Sequence, residues 1–398
     1  MGKRVALVMA AFAIVMAGPN LPTPLYPHYR ASLGLSPFGL TVLVGAYLVA
    51  LVAVLLSAGW FAQRSSPRAL LTAGLVVMSV SDVLLACPPT TVGLVTGRAL
   101  AGCAVGASTG AVAVLLRHHG SARTGSVPAV CALLGSAAGT ALTALLAEYL
   151  PWPQTLVYLA HAASSLGAGA WLWLVPALGR PRRGDAGRSE GGAVVPAGAV
   201  ARFRVACASG VAAWVTAGLV VALVPSYSVL LLRASNLVVV AIPVVVFLVA
   251  ACGGSMAAGR WRPRAEIPVA ALLMSAGMVI VAMSGPCRST SVLIVGTLVT
   301  GAGQGLGFRS GFAAALSLSS PERHGVAASW YNAGAYLGAA VTTLGMGLMA
   351  QRVGLENAFW GAAVLFALGA LALAIMALRL FSGSEPAARP EPVIQPTA

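Results

Sequence analysis

Residues 39–62 read GLTVLVGAYLVALVAVLLSAGWFA, a run of 24 residues without a charged side chain. A helix needs roughly 20 mostly apolar residues to cross a bilayer, at a rise of ~1.5 Å per residue, and this run exceeds that length. The run is too long for a strand of a globular domain. Because backbone exposed to lipid must satisfy its hydrogen bonds internally, this stretch predicts a transmembrane helix.

The whole chain has the same apolar character. Of its 398 residues, 59% are hydrophobic and only 8% are charged, with a mean hydropathy of +0.90, whereas soluble domains average about 25% charged residues. This composition excludes a soluble globular protein and predicts an all-α integral membrane protein. Apolar runs bounded by charges, proline or glycine predict twelve spans, at 5–24, 39–62, 69–87, 92–117, 126–147, 155–176, 204–224, 237–258, 266–285, 291–317, 326–349 and 357–380.

The basic residues are distributed unevenly between the two sides of such a protein. If the N-terminus is cytoplasmic, the outer loops hold only Arg30, Arg233, Arg288 and Arg352. The positive-inside rule then places both termini in the cytoplasm. This excess also accounts for the net charge of +15 without nucleic acid, since no basic run with interleaved aromatics is present. One lysine against 23 arginines indicates a GC-rich bacterial genome, so we expect a multi-pass protein of the bacterial inner membrane.

Several short motifs recur about two hundred residues apart. Arg4-Val5-Ala6 recurs as Arg204-Val205-Ala206, and Arg64-Ser-Ser-Pro67-Arg68 is echoed by Arg260-Trp-Arg-Pro263-Arg264. Glycines recur in the same order: Gly97, Gly102 and Gly106 with Gly296, Gly301 and Gly305, then Gly125, Gly135 and Gly139 with Gly325, Gly334 and Gly338. The first repeat also indicates that the opening helix is retained rather than cleaved as a secretory signal.

These repeats predict that the chain is duplicated into two homologous six-helix halves. The first half covers 1–177 and the second covers 204–381. A cytoplasmic linker at 178–203 joins them, and a flexible cytoplasmic tail follows at 382–398. Both of these connecting segments are rich in small residues and proline, which is typical of flexible chain.

Four segments carry a family resemblance: Gly59-Trp-Phe-Ala-Gln63-Arg64-Ser-Ser-Pro67-Arg68, Arg98-Ala-Leu-Ala-Gly102, Pro24-Leu-Tyr-Pro27 and Gly135-Ser-Ala-Ala-Gly139. Over residues 4 to about 380 the chain resembles the major facilitator superfamily, in particular its twelve-helix bacterial exporters of drugs and natural products. It departs from the family pattern at Gln63, where an aspartate is usual, and at Thr140, where the antiporter motif has a proline. The resemblance implies rigid halves that rock about a central site, and a gating motif formed by Gly59, Gln63, Arg64 and Arg68.

By the same resemblance, the first and fourth helices of each half line a central cavity. The substrate-binding candidates are polar and aromatic residues of these helices and of the eleventh: Asn20, Arg98, Ser108, Thr109, Trp214, Gln304, Arg309, Tyr331, Asn332 and Tyr336. Asn332 and Tyr336 fall on one helical face. Each Ser, Thr or Asn could instead bond to its own helix, Arg309 could extend to the inner surface, and Arg98 could have a structural role.

Ionisable groups inside the predicted spans are scarce. Asp82 is the only carboxylate well within a span, and His161 is the only candidate for a buried imidazole. Both are predicted near the outer leaflet, where they could form a structural hydrogen-bonded pair or, with Arg98, a proton-coupling site. Because the sequence has no ligand spacing typical of a metal site and no catalytic motif, we expect no metal, no cofactor and no enzymatic activity.

Together these patterns predict a secondary active transporter. We expect it to export a small neutral or anionic amphiphile, drug-like or a secondary metabolite, by proton antiport with alternating access, as antibiotic-resistance pumps do. Arg98 and Arg309 favour such cargo, and the lack of a cavity acid disfavours lipophilic cations. The expected partners are the substrate, the bilayer and protons, with no nucleic acid, and the protein is expected to be a monomer. An uptake carrier or uniporter for a small metabolite and a non-transporting membrane sensor are the alternatives.

Overall fold

The computed structural model describes residues 3–57, 65–117, 127–174, 194–320 and 323–381, whose regular secondary structure is entirely helical. The helices in these ranges are α1 (Lys3–Ala17), α2 (Tyr26–Leu33), α3 (Pro37–Leu56), α4 (Pro67–Ala86), α5 (Thr91–Arg117), α6 (Val127–Tyr149), α7 (Leu156–Leu174), α8 (Val200–Leu232), α9 (Leu237–Ala257), α10 (Pro263–Met283), α11 (Thr290–Ser317), α12 (His324–Val353) and α13 (Leu355–Leu380). The all-α prediction is confirmed. The predicted tail and residues 178–193 of the predicted linker lie outside the described residues.

Eleven segments of the described chain are long and apolar enough to cross a membrane, the first of them combining α1 and α2 as Val5–Leu33. The sixth predicted span, 155–176, corresponds to α7, which is not among these eleven but covers the same distance as its neighbour α4. At one end Thr155 Oγ1 donates to the Ala86 carbonyl at 3.2 Å, and at the other Trp173 Nε1 donates to Thr72 Oγ1 at 3.1 Å. The α7 helix therefore spans alongside α4.

The first span is broken near its middle. Two short 3-10 turns, Gly18–Asn20 and Thr23–Leu25, separate α1 from α2. Prolines in this segment have no N–H to donate, so the helical ladder cannot continue through it. The predicted end of this span at residue 24 is therefore wrong, because the span continues to Leu33. Its counterpart α8 remains helical through Pro225, past the predicted end at 224.

The described turns after α2, α4, α6, α8, α10 and α12 are short, so the helices that each of them joins run in opposite directions. The face of the bundle where α1 begins and α13 ends is termed the terminal face here. The opposite face, termed the far face, carries the turns that follow α2, α4, α6, α8, α10 and α12. These two names carry no assumption about which side of a membrane each face contacts.

Glycines let α6 pack directly on α1. A Cβ added at Gly135 would lie 2.3 Å from the Ala13 carbonyl oxygen, and one added at Gly139 would lie 2.5 Å from the Ala17 carbonyl oxygen. Gly334, which corresponds to Gly135 in the second half, has no atom within 4 Å of such a Cβ. Small residues allow this close approach of helices where lipid provides no hydrophobic drive. Of the corresponding residues Gly135 and Gly334, only Gly135 in the first half makes a tight contact.

The two halves meet along α3 with α12 and along α6 with α9. At the far face the Glu148 carboxylate at the end of α6 accepts hydrogen bonds from Asn236 Nδ2 at 2.9 Å and from the Leu237 backbone N–H at 2.8 Å. Nearby, a Cβ added at Gly347 would lie 2.1 Å from Thr41 Oγ1, so α12 approaches α3 closely there. The halves are thus joined at the far face.

The buried apolar residues form two separate clusters. The larger runs through the first half and continues into α8, α9, α12 and α13 of the second. The smaller lies at the terminal face of the second half, where Phe203, Ile267, Ala314 and Phe381 pack together. The second half therefore packs on itself at the terminal face, while at the far face it shares a core with the first.

Candidate functional site

Five aromatic side chains from three helices of the second half meet in a cluster that reaches from the middle of α8 toward the terminal face. Trp214 of α8 lies 4.4 Å from Tyr336 of α12 and 6.0 Å from Phe308 of α11, measured between ring centroids. Tyr331 lies 5.5 Å from Phe308 and 5.4 Å from Phe312. These five residues are called the aromatic cluster below. Three of them were predicted as binding residues, and the structure brings those three together.

Phe308 and Phe312 were not among the predicted residues, because an apolar ring in a membrane helix usually faces lipid or the core. A signal for them was nevertheless present. Gln304, Phe308 and Phe312 follow one another at a spacing of four residues along α11, so they lie on one helical face. Since Gln304 was a candidate for the cavity, its face could have been extended to both rings.

Two buried polar atoms here have no partner in the described chain, one in the cluster and one a helical turn from Phe308. Trp214 Nε1 and Gln304 Oε1 are buried without a hydrogen-bond partner among the described residues. The Gln304 side chain belongs to a residue only 5% exposed. Leaving a buried donor or acceptor unpaired costs about 1–3 kcal/mol each. The cluster therefore offers one unused donor, and Gln304, one helical turn from Phe308, offers one unused acceptor.

The aromatic cluster continues across the boundary between the halves. Tyr336 is close enough to Tyr47 of α3 for the two side chains to interact electrostatically. The Arg98 guanidinium in turn lies over the Tyr47 ring, 4.9 Å from its centroid. With the contact between α3 and α12, these side chains connect α5 and α3 of the first half with α12, α8 and α11 of the second.

The Arg98 side chain makes its hydrogen bonds within the first half. It is 2% exposed, its Nε donates to the Leu43 carbonyl at 3.3 Å, and its Nη1 donates to the Pro19 carbonyl. Pro19 lies in the break between α1 and α2, where the helical ladder leaves carbonyl groups unused. Arg98 therefore ties α5 to α3 and to this break, and its predicted contact with substrate or proton stays a prediction.

The other predicted binding residues are spread over several elements. Asn332 Nδ2 donates to the Ala328 carbonyl of its own helix at 2.9 Å, which is the local bond considered as the alternative. Arg309 is half-buried and interacts with another group of the protein. Ser108 is buried against α4, and Asn20 and Thr109 are half-buried. Their roles in binding stay predictions.

Asp82 and His161 form the expected hydrogen-bonded pair. His161 Nδ1 lies 2.7 Å from Asp82 Oδ2, and His161 Nε2 lies 2.8 Å from the Ile14 carbonyl oxygen. A carbonyl oxygen only accepts, so Nε2 must carry a proton and donate it. A second proton is then shared between Nδ1 and the carboxylate, which makes the pair neutral as a unit. This buried pair links α4, α7 and α1.

The predicted gating motif is only partly described, because Gly59, Gln63 and Arg64 lie outside the described residues. The Arg68 guanidinium lies over the Trp173 ring, 4.5 Å from its centroid. The corresponding turn of the second half is held by a carboxylate that was not among the predicted site residues.

That acid is Glu266 at the start of α10, which is 2% exposed. Its Oε1 accepts from the backbone N–H groups of Gly259 and Trp261 at 2.7 and 3.0 Å, and its Oε2 accepts from Ser310 Oγ at 2.6 Å. These bonds fasten the turn between α9 and α10 to α11. Glu266 is therefore a structural acid at the terminal face of the second half.

An apolar cavity lies apart from the aromatic cluster, between α8, α10, α12 and α13. Its volume is about 380 Å³, and Val215, Met274, Met346 and Phe366 are among its almost entirely apolar lining. In the described part of the chain no group of three or more His, Cys, Asp or Glu side chains could hold a metal ion.

The sequence profile of the Major Facilitator Superfamily matches residues 6–298 and 260–396. The chain belongs to the Major Facilitator Superfamily. Solved structures of other superfamily transporters share its fold over nearly the full length. A bacterial homologue of the human lysosomal transporter Spinster, in an inward-facing and occupied conformation, has a TM-score of 0.77 at 13% identity, over 96% of this chain and 98% of that chain.

Two further superfamily structures show the same likeness. The D-xylose–proton symporter has a TM-score of 0.77 at 15% identity, over 94% of this chain and 96% of that chain. The nucleoside transporter NupG has a TM-score of 0.72 at 12% identity, over 96% of this chain and 100% of that chain. No curated protein sequence matches the chain significantly. At such identities these structures show a shared transporter fold and leave the cargo open.

Proposed function

We propose that this superfamily member exports a small neutral or anionic amphiphilic compound, drug-like or a secondary metabolite, by proton antiport with alternating access. The observation that carries this proposal is the aromatic cluster, with its unused donor and the unused acceptor of Gln304, beside the boundary of two halves that are joined at the far face. A site near the middle of a duplicated helical bundle is where rocking halves expose a ligand to one side at a time.

The contacts between the halves support such a motion. At the far face they consist of the Glu148 bonds to the start of α9 and the approach of α12 to α3. At the terminal face the second half has its own apolar cluster. The opposite opening requires these bonds to break and the apolar contacts shared at the far face to part, while the second half keeps its own cluster at the terminal face. Gly59, Gln63, Arg64 and Arg68 are proposed to control the terminal face.

The buried pair of Asp82 and His161, with Arg98, is the proposed proton-coupling site. The pair takes part in hydrogen bonds to three helices, so a change in its proton count would change how those helices hold together. A membrane potential contributes about 2.3 kcal/mol per charge per 100 mV, which is enough for one proton to drive substantial accumulation. Asp82 combines depth in the bundle with an oxygen, Oδ1, that has no partner among the described residues.

The remaining parts of the proposal follow from the sequence. The terminal face is proposed to be cytoplasmic, in a bacterial inner membrane, with the protein acting as a monomer without nucleic acid. Asn20, Arg98, Ser108, Thr109, Gln304, Arg309 and Asn332 are proposed to contact substrate together with the aromatic residues Trp214, Tyr331 and Tyr336. The absence of an acid among these residues supports cargo that is not cationic.

Proteoliposomes with a pH gradient of either sign test this function. We expect at least one compound from a panel of neutral and anionic amphiphiles to move against the proton flow, as measured by mass spectrometry. Cargo moving with the protons would indicate an uptake symporter. Flux that ignores the gradient would indicate a uniporter, and no flux would indicate a sensor.

The variant Asp82→Asn tests the proton site within the same assay. It should abolish accumulation driven by the gradient while exchange of labelled for unlabelled substrate continues. Met278→Leu, at the corresponding buried position of the second half, is the control and should keep both activities. Gradient-driven accumulation that survives in Asp82→Asn would refute the assignment of Asp82.

A further inference from the structure

We infer that the cargo is an uncharged, planar aromatic compound that carries both a hydrogen-bond donor and a hydrogen-bond acceptor. This inference rests on the proposed transport function and narrows its substrate class from neutral or anionic amphiphiles. It assigns the ligand's ring to the aromatic cluster and its polar groups to Trp214 Nε1 and Gln304 Oε1.

The shape of the site favours a flat ring. Trp214 meets Phe308 and Tyr336 edge-on, with interplanar angles of 83° and 62°. Each edge-to-face or stacked contact between aromatic rings contributes about 0.5–1.5 kcal/mol in addition to the free energy gained by burying apolar surface. A planar ligand inserted among these side chains gains several such contacts, which an aliphatic ligand of equal size does not.

The unused polar atoms require a ligand with two complementary groups. Trp214 Nε1 is a donor only, so it needs an acceptor on the ligand, whereas Gln304 Oε1 needs a donor. In the described structure both atoms are buried and unpaired. A ligand that pairs both atoms removes the cost of leaving them without partners. A ligand without these groups leaves that cost in place.

The charges near the site argue against an ion. Arg98 already donates to two backbone carbonyls and covers Tyr47, and Arg309 interacts with another group of the protein. Among the described carboxylates, three are hydrogen-bonded to other groups: Asp82, Glu148 and Glu266. The fourth, Glu356, lies at the start of α13, at the far face. A buried charge without a paired counter-charge is strongly disfavoured. The cluster therefore suits a neutral molecule.

Three indole compounds with one ring system and different charges test this inference. They are indole-3-acetamide, which is neutral, indole-3-acetate, which is an anion, and tryptamine, which is a cation. Binding to the purified full-length protein in lipid nanodiscs is measured by saturation-transfer NMR and calorimetry. We expect the amide to bind at least about tenfold more tightly than either ion, because each ion would bury an unpaired charge. Cyclohexylacetamide, which keeps the amide without the aromatic ring, should also bind more weakly.

Two variants locate the binding. Trp214→Phe keeps a ring and removes the donor, and Gln304→Leu keeps the size and removes the acceptor. Each should weaken amide binding about three- to tenfold, the range expected for one hydrogen bond. Trp330→Phe, at a residue 53% exposed on the outside of α12, and Gln351→Leu, at an exposed position of α12, are the matched controls and should bind like the wild type. Thermal unfolding of every variant confirms that it is folded.

Three results overturn the inference: tighter or equal binding of indole-3-acetate or tryptamine, unchanged amide binding in both site variants, or no amide binding up to its solubility limit. Failure of the transport proposal is seen separately, because the flux assay uses a broad panel and does not depend on the indole probes. Gradient-driven flux of an unrelated ion, together with absent amide binding, would leave the transporter standing and reject this substrate class.

Discussion

Corresponding places in the two halves are filled in opposite ways. Between α1, α4 and α7 the first half holds the buried pair of Asp82 and His161, and a Cβ at Gly18 would lie 2.4 Å from Met78 Sδ. Between α8, α10 and α13, with α12 alongside, the second half holds the apolar cavity of about 380 Å³. At these corresponding places the first half is fixed by polar bonds and close packing, and the second half has free volume. Helix order alone does not determine how firmly a half is held.

The largest expected effect comes from breaking the buried pair. His161→Leu leaves the Asp82 carboxylate buried without its partner, and we expect a loss of about 3–5 kcal/mol in unfolding free energy. Unfolding by SDS, followed by circular dichroism of the purified protein, measures this loss. Met278→Leu at the position corresponding to Asp82 should cost less than about 1.5 kcal/mol. Equal costs for the two variants would remove the distinction between the halves.

A glycine pair sharpens the same comparison. Gly135→Ala places a Cβ against the Ala13 carbonyl, and we expect it to destabilise by about 1–3 kcal/mol because backbone must move. Gly334→Ala meets no atom and should be neutral or stabilise by up to about 1 kcal/mol, since alanine favours the helix. The same unfolding assay reports both changes. Similar effects at both positions would contradict the described packing of α6 on α1.

The bonds between the halves should give a smaller effect. Glu148→Gln removes the carboxylate that accepts from Asn236 and Leu237, and we expect the far-face contact to weaken by about 1 kcal/mol, or about fivefold in population. The labelling rate of a cysteine placed at Thr41 should rise accordingly. Glu356→Gln, also at the far face, is the control and should leave the rate unchanged. An unaltered labelling rate in Glu148→Gln would show that this contact does not hold the far face closed.

The smallest expected effect comes from filling the cavity of the second half. Ala212→Val adds two carbon atoms to its wall, and cavity filling typically stabilises by about 0.5–2 kcal/mol. We expect a value near the lower end because lipid chains can occupy an apolar space beside the bilayer. A destabilising result would mean that the space is already tightly filled. The unfolding assay in two lipids of different chain length separates these cases.

Much of the fold could be predicted because each span has to satisfy its own backbone hydrogen bonds in lipid, so each long apolar run had to be a helix. The pairing of Asp82 with His161 followed from the scarcity of ionisable groups inside the spans. The break in the first span was missed, since the run 5–24 is mostly apolar and its prolines near the end were not treated as disrupting the helix. The partners of Arg98 could not be predicted either, because they are backbone carbonyls whose availability depends on that break.

The candidate site was predicted only in part. Trp214, Tyr331 and Tyr336 stood out because their polar atoms are unusual in a membrane helix. Phe308 and Phe312 have no polar atom, so only their spacing from Gln304 distinguished them from residues that face lipid. Glu266 was placed at a helix end, and its three hydrogen bonds depend on how the turn before α10 folds back.

The spare volume in the second half has a consequence for how this carrier can diverge. Substitutions in α8, α11 and α12 can reshape the ligand-facing surface while neighbouring side chains relax into that volume. Comparable changes around His161 would meet a closely packed interior without such volume. A random mutagenesis library selected for altered cargo should therefore accumulate more of its adaptive changes after residue 200 than in the earlier helices.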